Sequence, residues 1–550
     1  MKLSTLLAGA ALLSSAVAVA ATAPTFDAAR VSRDVQVLSS DAFEGRAPAT
    51  AGETKTVEYI VAQMKAAGLQ PGGPATNGTR SWTQDVPLLK SDIVGTPELS
   101  MSVGGKARPL AQGNEISVRA ALTGQTQISL KDAPLVFVGY GVSAPERNWD
   151  DFKGADLKGK VLVVLVNDPD FEGGEGDFGG KAMTYYGRWS YKYEEAARQG
   201  AAGVLVIHET EPASYGWATV KNSNTNTMFD IVRDNPAAAH TPMEGWIQRD
   251  LAVDLFKAAG HDFDAMKAAA KKRDFKPVAL NSTLSASYTV KPETIVSKNV
   301  LGLLPGKSRA DETVIYSGHW DHLGVGEPDA RGDRIYNGAR DNASGIAMML
   351  ELARAFVQAP RTDRSLVFLA VTAEEKGLLG STYYAANPVY PLATTAGVIN
   401  LDSTIGLGAA KDFTISGTAK LGLLDRLVAE GGKLGRTYTP DPRVEAGGFY
   451  RSDHFPFAKQ GVPAVSFGTG RDLVNGGTER AKALGEAYTR DRYHQQADEW
   501  SADWDLSGLQ PDLTLLYNVG RGLADSRDWP EWSADSEFRA ARTASAGARR

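Results

Sequence analysis

The sequence predicts an α/β protein with a doubly wound, mostly parallel central sheet and helices on both of its faces. Short apolar, β-branched segments are typical of buried strands, and they lie at about 312–318, 365–371, 396–401, 412–416 and 463–467. Helical patterns at about 343–358 and 420–434 separate them, and such alternation indicates a parallel sheet. Because ligands bind at the carboxyl ends of the strands in open α/β sheets, we expect functional side chains directly after these segments.

The composition bounds the possible functions. The 550 residues are 43% hydrophobic and 23% charged, which is typical of a globular protein of two or three domains. The net charge of -6 and the absence of a basic block argue against nucleic acid as a partner. The chain has no cysteine, which excludes disulfides, thiolate metal sites and cysteine nucleophiles. Any metal must therefore be held by His, Asp and Glu.

Residues 1–20 predict a secretory signal peptide. Lys2 precedes an apolar run, Leu3–Val19, that ends in small residues with an Ala-x-Ala cleavage pattern. Ser14 and Ser15 interrupt the run, which disfavours a membrane anchor, and no later stretch of the sequence is apolar enough to span a bilayer. We therefore expect a periplasmic or secreted protein without stable membrane association after the signal is removed.

A histidine and an aspartate follow the first strand of the main α/β segment. His319 comes where the strand should end, and Asp321 is placed to hydrogen-bond the second ring nitrogen of His319 and fix its tautomer. His322 is an odd number of residues away from His319, so along an extended chain its side chain points the other way. We interpret His322 as structural.

Carboxylates follow the next elements. Asp341 opens a helix; it is either an N-cap or, because small residues flank it, a group that something approaches closely. Glu374 and Glu375 directly follow a buried strand, where they begin a solvated helix or, alternatively, one binds a metal while the other takes a proton from water. Asp402 ends another buried strand.

A late histidine completes the pattern. His494 lies in a polar loop, and His454 is its rival. A histidine, several carboxylates at strand ends and a late histidine suit two metal ions that share a carboxylate and activate one water. Imidazole and carboxylate ligands favour zinc.

Five motifs resemble those of a known family. The phrases SGHWDHLG, GARDNASG, VTAEEKGLLGS, NLD and RYHQQAD are similar to the signatures of the secreted dinuclear zinc aminopeptidases, the bacterial leucyl aminopeptidase and glutamate carboxypeptidase superfamily. The phrases DLKGKVLVV and EEAARQGAAGVLVI resemble a protease-associated domain, a small β-rich insert of secreted peptidases.

The resemblance implies roles that the strand ends alone leave open. Asp341 would bridge two zinc ions, His319 and Asp402 would complete one site, and Glu375 and His494 the other. Glu374 would be the general base that takes a proton from the bridging water and returns it to the leaving amine. The family also commonly has a cis peptide after the bridging aspartate, here between Asp341 and Asn342.

Other residues receive roles from neighbouring motifs. Tyr450 is a candidate donor to the tetrahedral oxyanion or an ordinary pocket-wall residue. His454 lies in a phrase that resembles a pocket-shaping motif of the family, and we expect it to support the ligands or to be structural. Arg451 is a candidate substrate-binding residue. A carboxypeptidase or dipeptidase needs cations to hold the terminal carboxylate of its substrate. Arg451 and Arg340 could provide them, so this alternative function stays open.

The sequence patterns and the resemblance together predict the domain organisation. The signal peptide would occupy 1–20, the N-terminal part of the peptidase domain 24–112, a protease-associated-like insert 113–290, the catalytic zinc peptidase domain 291–530 and a flexible tail 531–550. Too few residues follow His494 for a long dimerising domain, so a monomer acting on peptides is expected.

Three functions follow in order of preference. The first is an aminopeptidase with two zinc ions per chain and a glutamate base, and the second a carboxypeptidase or dipeptidase on the same site. The third is a binding protein that has lost catalysis, which is disfavoured because every ligand position and the base are present.

Overall fold

A computed structural model describes residues 24–174, 176–534 and 536–549 of the chain. The predicted signal peptide at 1–20 lies outside these described residues. The strands and helices predicted for the main α/β segment are present within a few residues of their expected bounds.

The α-helices lie in every part of the described chain. They are α1 (Ala28–Leu38), α2 (Ala51–Ala67), α3 (Trp189–Arg198), α4 (Thr210–Ala213), α5 (Trp217–Asn224), α6 (Arg249–Ala258), α7 (Phe263–Ala270), α8 (Ser344–Gln358), α9 (Leu379–Ala386), α10 (Gly422–Lys433), α11 (His454–Lys459), α12 (Gly477–Asp491), α13 (Leu509–Asp525) and α14 (Arg539–Ala544). None of the helices in the described ranges has the length and apolar character needed to cross a membrane.

The strands range from two-residue bridges to very long ladders. They are β1 (Gln70–Pro71), β2 (Ala75–Thr76), β3 (Thr79–Arg80), β4 (Thr83–Val103), β5 (Lys106–Leu110), β6 (Ile116–Val118), β7 (Gln127–Phe137), β8 (Ser143–Ala144), β9 (Trp149–Asp150), β10 (Val161–Leu165), β11 (Gly203–His208), β12 (Met228–Ile231), β13 (Met243–Gln248), β14 (Val278–Leu304), β15 (Arg309–His319), β16 (Gly324–Val325), β17 (Ile335–Tyr336), β18 (Arg364–Val371), β19 (Thr395–Leu401), β20 (Asp412–Ile415), β21 (Thr437–Tyr438) and β22 (Ala464–Thr469).

The predicted parallel sheet is confirmed in the main α/β segment. β15 pairs in parallel with β18 and β19, and β22 pairs in parallel with β19. Each residue of β18 and of β19 is buried, which explains why both strands are mainly apolar. β20 runs antiparallel to β22, and the two-residue strand β21 pairs with β20 at the edge of the sheet.

Helices cover both faces of this sheet, as predicted. On one face, the hydroxyl of Tyr316 in β15 donates to the carbonyl of Leu516 in α13. Side chains alternate along a strand, so the next residue, Ser317, points to the other face, where it hydrogen-bonds Asn400. The Asn400 amide donates in turn to Ser452, just before α11. The strands are therefore packed between helix layers.

The long strand β14 joins two halves of one continuous sheet. Its last residues pair with β18, while earlier residues pair with β7 and β4. The predicted boundary between residues 290 and 291 therefore falls inside a strand rather than in a linker.

Residues 113–290, called the inserted unit below, contain parallel strands with helices between them. β10 pairs in parallel with β7 and β11, and β11 pairs in parallel with β13, while α3 lies between β10 and β11. The unit is therefore mixed α/β and less purely β-rich than expected. Its resemblance to a protease-associated domain stays a prediction.

The C-terminal residues bury more than the tail prediction expected. The side chain of Trp532 is 2% exposed and its ring nitrogen donates to the carbonyl of Gly461. Arg542 in α14 is fully buried and donates to the carbonyl of Thr395 at the start of β19. The Ala-rich composition suggested fraying, but these large side chains anchor the segment to the sheet.

Candidate metal centre

The centre lies where three parallel strands end at the same edge of the sheet. His319 is the last residue of β15 and is paired in register with Val371, the last residue of β18. Glu374 and Glu375 follow β18 by a short turn, and Asp402 is the first residue after β19. Parallel pairing thus brings together the side chains that sequence reasoning placed at separate strand ends.

The first group of side chains surrounds His319. Its Nε2 lies 3.3 Å from Asp341 Oδ1, 3.6 Å from Asp402 Oδ1 and 4.0 Å from Glu374 Oε2. All three carboxylates therefore face the same imidazole nitrogen.

The second group surrounds His494. Its Nε2 lies 3.0 Å from Glu375 Oε2 and 3.3 Å from Asp341 Oδ2. Asp341 thus directs one carboxylate oxygen to each histidine, which is the position that a bridging ligand requires.

The donor set fits a metal. Two triads, His319–Asp341–Glu375 and His319–Glu374–Asp402, each hold their nearest ligand atoms within 4.8 Å of one another. His319 Nε2 is buried and has no hydrogen-bond partner. Within the described ranges, no Lys or Arg forms an ion pair with the four carboxylates of the centre, whose ion-pair partners are histidines. Four buried or partly buried carboxylates without a Lys or Arg partner favour a bound cation, and imidazole with carboxylate oxygen suits zinc.

The two adjacent glutamates have opposite electrostatic environments. Burial and the charges of Asp453, Glu375 and Asp402 raise the pKa of Glu374 well above its usual range, against the opposing effect of His319. Although burial acts to raise it, the charges of His494 and His322 hold the pKa of Glu375 far below its usual value. Glu375 is thus suited to remain an ionised ligand, and Glu374 is suited to hold a proton.

Asp341 is held by its backbone as well as by the histidines. The carboxylate of Asp498 accepts the Asp341 N–H at 3.0 Å and the Arg340 N–H at 3.2 Å. The peptide bond between Asp341 and Asn342 is cis, as the resemblance implied. Burial acts against ionisation, but His319 and His494 keep the pKa of Asp341 well below its usual range.

The small residues around Asp341 have a steric reason. A Cβ on Gly345 would lie 2.3 Å from the carbonyl oxygen of Leu401 and 2.4 Å from Asn342 Oδ1. The helix start therefore packs directly against the end of β19, as the flanking small residues suggested.

Asp321 differs in part from its predicted role. His319 Nδ1 lies 3.2 Å from the backbone carbonyl oxygen of Asp321 and 3.8 Å from its carboxylate. The carboxylate instead accepts the backbone N–H of Glu374 at 3.0 Å and that of Glu375 at 3.4 Å. Asp321 thus fixes the turn that carries both glutamates, and its backbone rather than its carboxylate is the nearest partner of His319.

His322 is closer to the centre than the alternation of an extended strand suggested. Its Nδ1 lies 2.5 Å from Glu375 Oε1, so it orients that carboxylate toward His494. β15 ends at His319, so the strand periodicity used for the prediction no longer applies at His322. The signal that could have identified it is the short spacing of the two histidines around Asp321.

Sequence reasoning also missed residues of the inserted unit. The hydroxyl of Ser223 at the end of α5 lies 2.9 Å from His494 Nδ1, and the Asn222 amide donates to the His494 carbonyl at 3.0 Å. The next residue after the glutamates, Lys376, donates to the Ser223 carbonyl at 3.4 Å. No motif in the polar, Asn- and Thr-rich phrase around Ser223 indicated this contact.

Arg46 was missed as well. Its buried guanidinium donates to the carbonyl oxygens of Trp320, Leu38, Asn337 and Gly338. It thereby ties the N-terminal segment to the loops that carry His319 and Asp341.

The pocket residues predicted from sequence have mixed placements. The Tyr450 hydroxyl donates to Glu537 at 3.2 Å, so its proton is not directed at the cluster of His319 and His494, and an oxyanion role is not supported. His454 is fully buried, consistent with a structural role, and burial lowers its pKa to about 3. Arg451 lines a cavity next to Glu374, whereas Arg340 turns to the Tyr488 ring and is absent from that cavity.

Comparison with known proteins agrees with this geometry. Residues 299–514 match the model of peptidase family M28, and this segment contains every residue of the cluster. A probable zinc metalloprotease of Pyricularia oryzae is 36% identical over 117 residues, or 21% of this chain and 23% of the relative. A probable zinc metalloprotease of Pyrenophora teres f. teres is 36% identical over 115 residues, or 21% and 24%. The chain thus spans about a quarter of the length of these curated relatives.

The fold as a whole resembles that of a solved enzyme. An aminopeptidase from Aneurinibacillus sp. strain AM-1 superimposes with a TM-score of 0.51 at 20% identity, covering 90% of this chain and 93% of that one. At this identity the likeness concerns the fold.

Proposed function

We propose that this chain, in which residues 299–514 match the model of peptidase family M28, is a zinc-dependent aminopeptidase that removes N-terminal residues from peptides. The observation that carries the proposal is the position of Asp341 between His319 and His494, with one carboxylate oxygen 3.3 Å from each ring nitrogen. A carboxylate shared between two imidazoles is the arrangement that two adjacent metal ions need.

The proposed ligands divide between two ions. His319 and Asp402 would hold the first zinc, Glu375 and His494 the second, and Asp341 both. Zinc bound there would polarise the peptide carbonyl and lower the pKa of a water molecule.

Glu374 is the residue proposed to move the proton. Its carboxylate lies beside His319 and Asp402 without an ion pair to Lys or Arg in the described chain, so it is free to accept a proton. Burial and the surrounding carboxylates raise its pKa and stabilise the protonated form until the leaving amine takes the proton. Glu375, one residue away, is engaged by His322 and His494 and is thereby kept for the metal.

A substrate panel tests the proposal. The chelated protein should be inactive toward aminoacyl chromogenic substrates, and zinc add-back should restore activity. N-acetylated substrates should be resistant, because an aminopeptidase requires a free amine. Hydrolysis of acetylated peptides from their C-terminus would instead support the carboxypeptidase hypothesis. A protein that binds no zinc and hydrolyses no peptide would support the binding-protein hypothesis.

The location and assembly of the protein are further parts of the proposal. The apolar run with its Ala-x-Ala pattern supports a cleaved signal peptide at 1–20 and a periplasmic or secreted monomer. N-terminal sequencing of the mature protein and its sedimentation in solution test these two points.

A further inference from the structure

We propose that the cavity between the inserted unit and the metal centre binds a carboxylate group of the peptide substrate through Arg188 and Arg451. The inference rests on the proposed peptidase function and narrows its substrates to peptides that carry a negative charge near the scissile bond.

The cavity is continuous with the metal centre. It has a volume of about 340 Å³, and Glu374, Glu375 and His494 form part of its wall. Arg188 comes from the inserted unit and Arg451 from the segment before α11, so the two guanidinium groups enter from opposite parts of the chain. A group bound there lies beside the proposed base.

Arg451 is held in place by neutral partners. Its Nη1 donates to the Ser214 hydroxyl at 3.0 Å, its Nη2 to the Tyr493 hydroxyl at 3.3 Å, and it lies over the Tyr215 ring at 5.2 Å. The ring of Tyr493 packs on His494 with centroids 4.0 Å apart. Arg451 is therefore fixed one side chain away from a proposed zinc ligand. No carboxylate of the described chain forms an ion pair with it, although the charge of Glu374 acts on it from a longer distance.

Among the described residues, no hydrogen bond or ion pair is made by the Arg188 guanidinium. Its Nε is buried without a hydrogen bond, and no carboxylate within the described ranges forms an ion pair with its guanidinium. Burial and the nearby charge of Arg451 lower the pKa of Arg188 to about 10. Two partly buried cations that repel each other are costly unless an anion joins them.

The other two arginines of the cavity wall, unlike Arg188 and Arg451, form ion pairs with carboxylates. Arg233 pairs with Asp230 at 2.5 Å, and Arg119 with Glu244 at 3.6 Å. The chain thus supplies acidic partners to these two arginines and withholds them from Arg188 and Arg451. Two guanidinium groups match the planar, two-oxygen geometry of a carboxylate.

The bound carboxylate could be the C-terminus of the peptide or an acidic side chain. A comparison of four peptides separates these two sources. The first pair is Ala-Ala and Ala-Ala-amide, which differ in the C-terminal charge. The second pair is Glu-Ala-amide and Gln-Ala-amide, which differ in the side-chain charge. We expect a preference for the charged member of at least about 30-fold in kcat/KM in one pair. The pair that shows it identifies the source.

Variants then assign the preference to the two arginines. Arg188→Met and Arg451→Met should each reduce the preference for the charged peptide at least about 10-fold. The loss should appear chiefly in KM, because the arginine–carboxylate contact is present in the ground state and the transition state alike. Arg361→Met removes the same charge from an exposed position and should leave the preference unchanged. Zinc content and circular dichroism of each variant check that the centre and the fold are retained.

Binding measurements keep this inference separate from the proposed function. Calorimetry with the zinc-loaded Glu374→Gln protein measures the affinity of each of the four peptides without turnover. Equal affinities within both pairs, or a preference that survives both Arg→Met variants, would overturn the inference. A charge-dependent affinity in a wild-type protein that hydrolyses no peptide would support the site and contradict the peptidase.

Discussion

The hydroxyl of Ser223 and the Nδ1 nitrogen of His494 lie 2.9 Å apart, although 271 residues separate them in the chain. A histidine that ligates a metal through Nε2 needs a partner at Nδ1 to fix its tautomer and ring plane. The inserted unit provides that partner, so it contributes to the proposed centre itself. We therefore expect Ser223→Ala to weaken zinc binding about 10-fold and to lower kcat, measured by zinc titration of the chelated protein.

The matched control for Ser223 is Thr225→Ala, which removes an exposed hydroxyl that hydrogen-bonds the Lys221 carbonyl at the end of the same helix. This control should leave zinc affinity unchanged. If both variants weaken zinc binding equally, the effect comes from α5 as a whole and the Ser223 contact has no special role.

Glu374→Gln should separate metal binding from turnover. The amide keeps the shape of the side chain but cannot accept the proton, so kcat should fall at least about 10³-fold while the zinc content remains that of the wild type. Glutamate-to-glutamine substitution at exposed Glu479 is the control and should retain full activity. Near-native turnover of Glu374→Gln would show that another group is the base.

Asp402→Asn should weaken one of the two proposed metal sites and leave the other intact. Asp402 approaches His319 at 3.6 Å, whereas the pair Glu375–His494 does not involve it. After chelation and zinc add-back, we expect two tightly bound zinc ions in the wild type and one in this variant. Asp472→Asn, at an exposed ion pair with Lys411, should bind two. Equal stoichiometry in the wild type and Asp402→Asn would argue against the assignment.

Much of the centre could be predicted because it lies at strand ends. His319, Glu374, Glu375 and Asp402 each follow a strongly apolar strand, and parallel pairing necessarily brings such ends together. The division of ligands between two ions needed the family resemblance, since spacing alone says nothing about which oxygen faces which histidine.

Other features depend on contacts that no local pattern encodes. Ser223 reaches the centre, and Arg188 the adjoining cavity, only because the inserted unit packs there, and their own neighbours in sequence carry no signal. Trp532 and Arg542 were expected in a frayed tail because local composition is small and polar there, yet a few large side chains suffice to anchor a segment. Long-range packing, rather than local propensity, decided each of these cases.

A buried ion network in the inserted unit makes stability depend on pH. His240 lies between Asp230 and Glu244, 3.0 Å from an oxygen of each, and Arg233 and Arg119 are the cations next to these carboxylates. Burial acts to lower the pKa of His240, but the charge of Glu244 and the hydrogen bonds to both carboxylates outweigh it and raise the pKa to about 9.

The sign of the effect follows from this raised pKa. His240 is protonated in the folded state up to about pH 9 and in the unfolded state only below about 6.5, so its stabilisation is complete below pH 6.5 and is lost as the pH rises through 9. The shift corresponds to a stabilisation on the order of 3 kcal/mol. His240→Gln should therefore lower the thermal unfolding midpoint clearly at pH 6 and much less at pH 10. His261→Gln, which removes a histidine without an ion pair in the described chain, should show no such pH-dependent difference. An equal loss at both pH values for His240→Gln would mean that packing, and not charge, is its contribution.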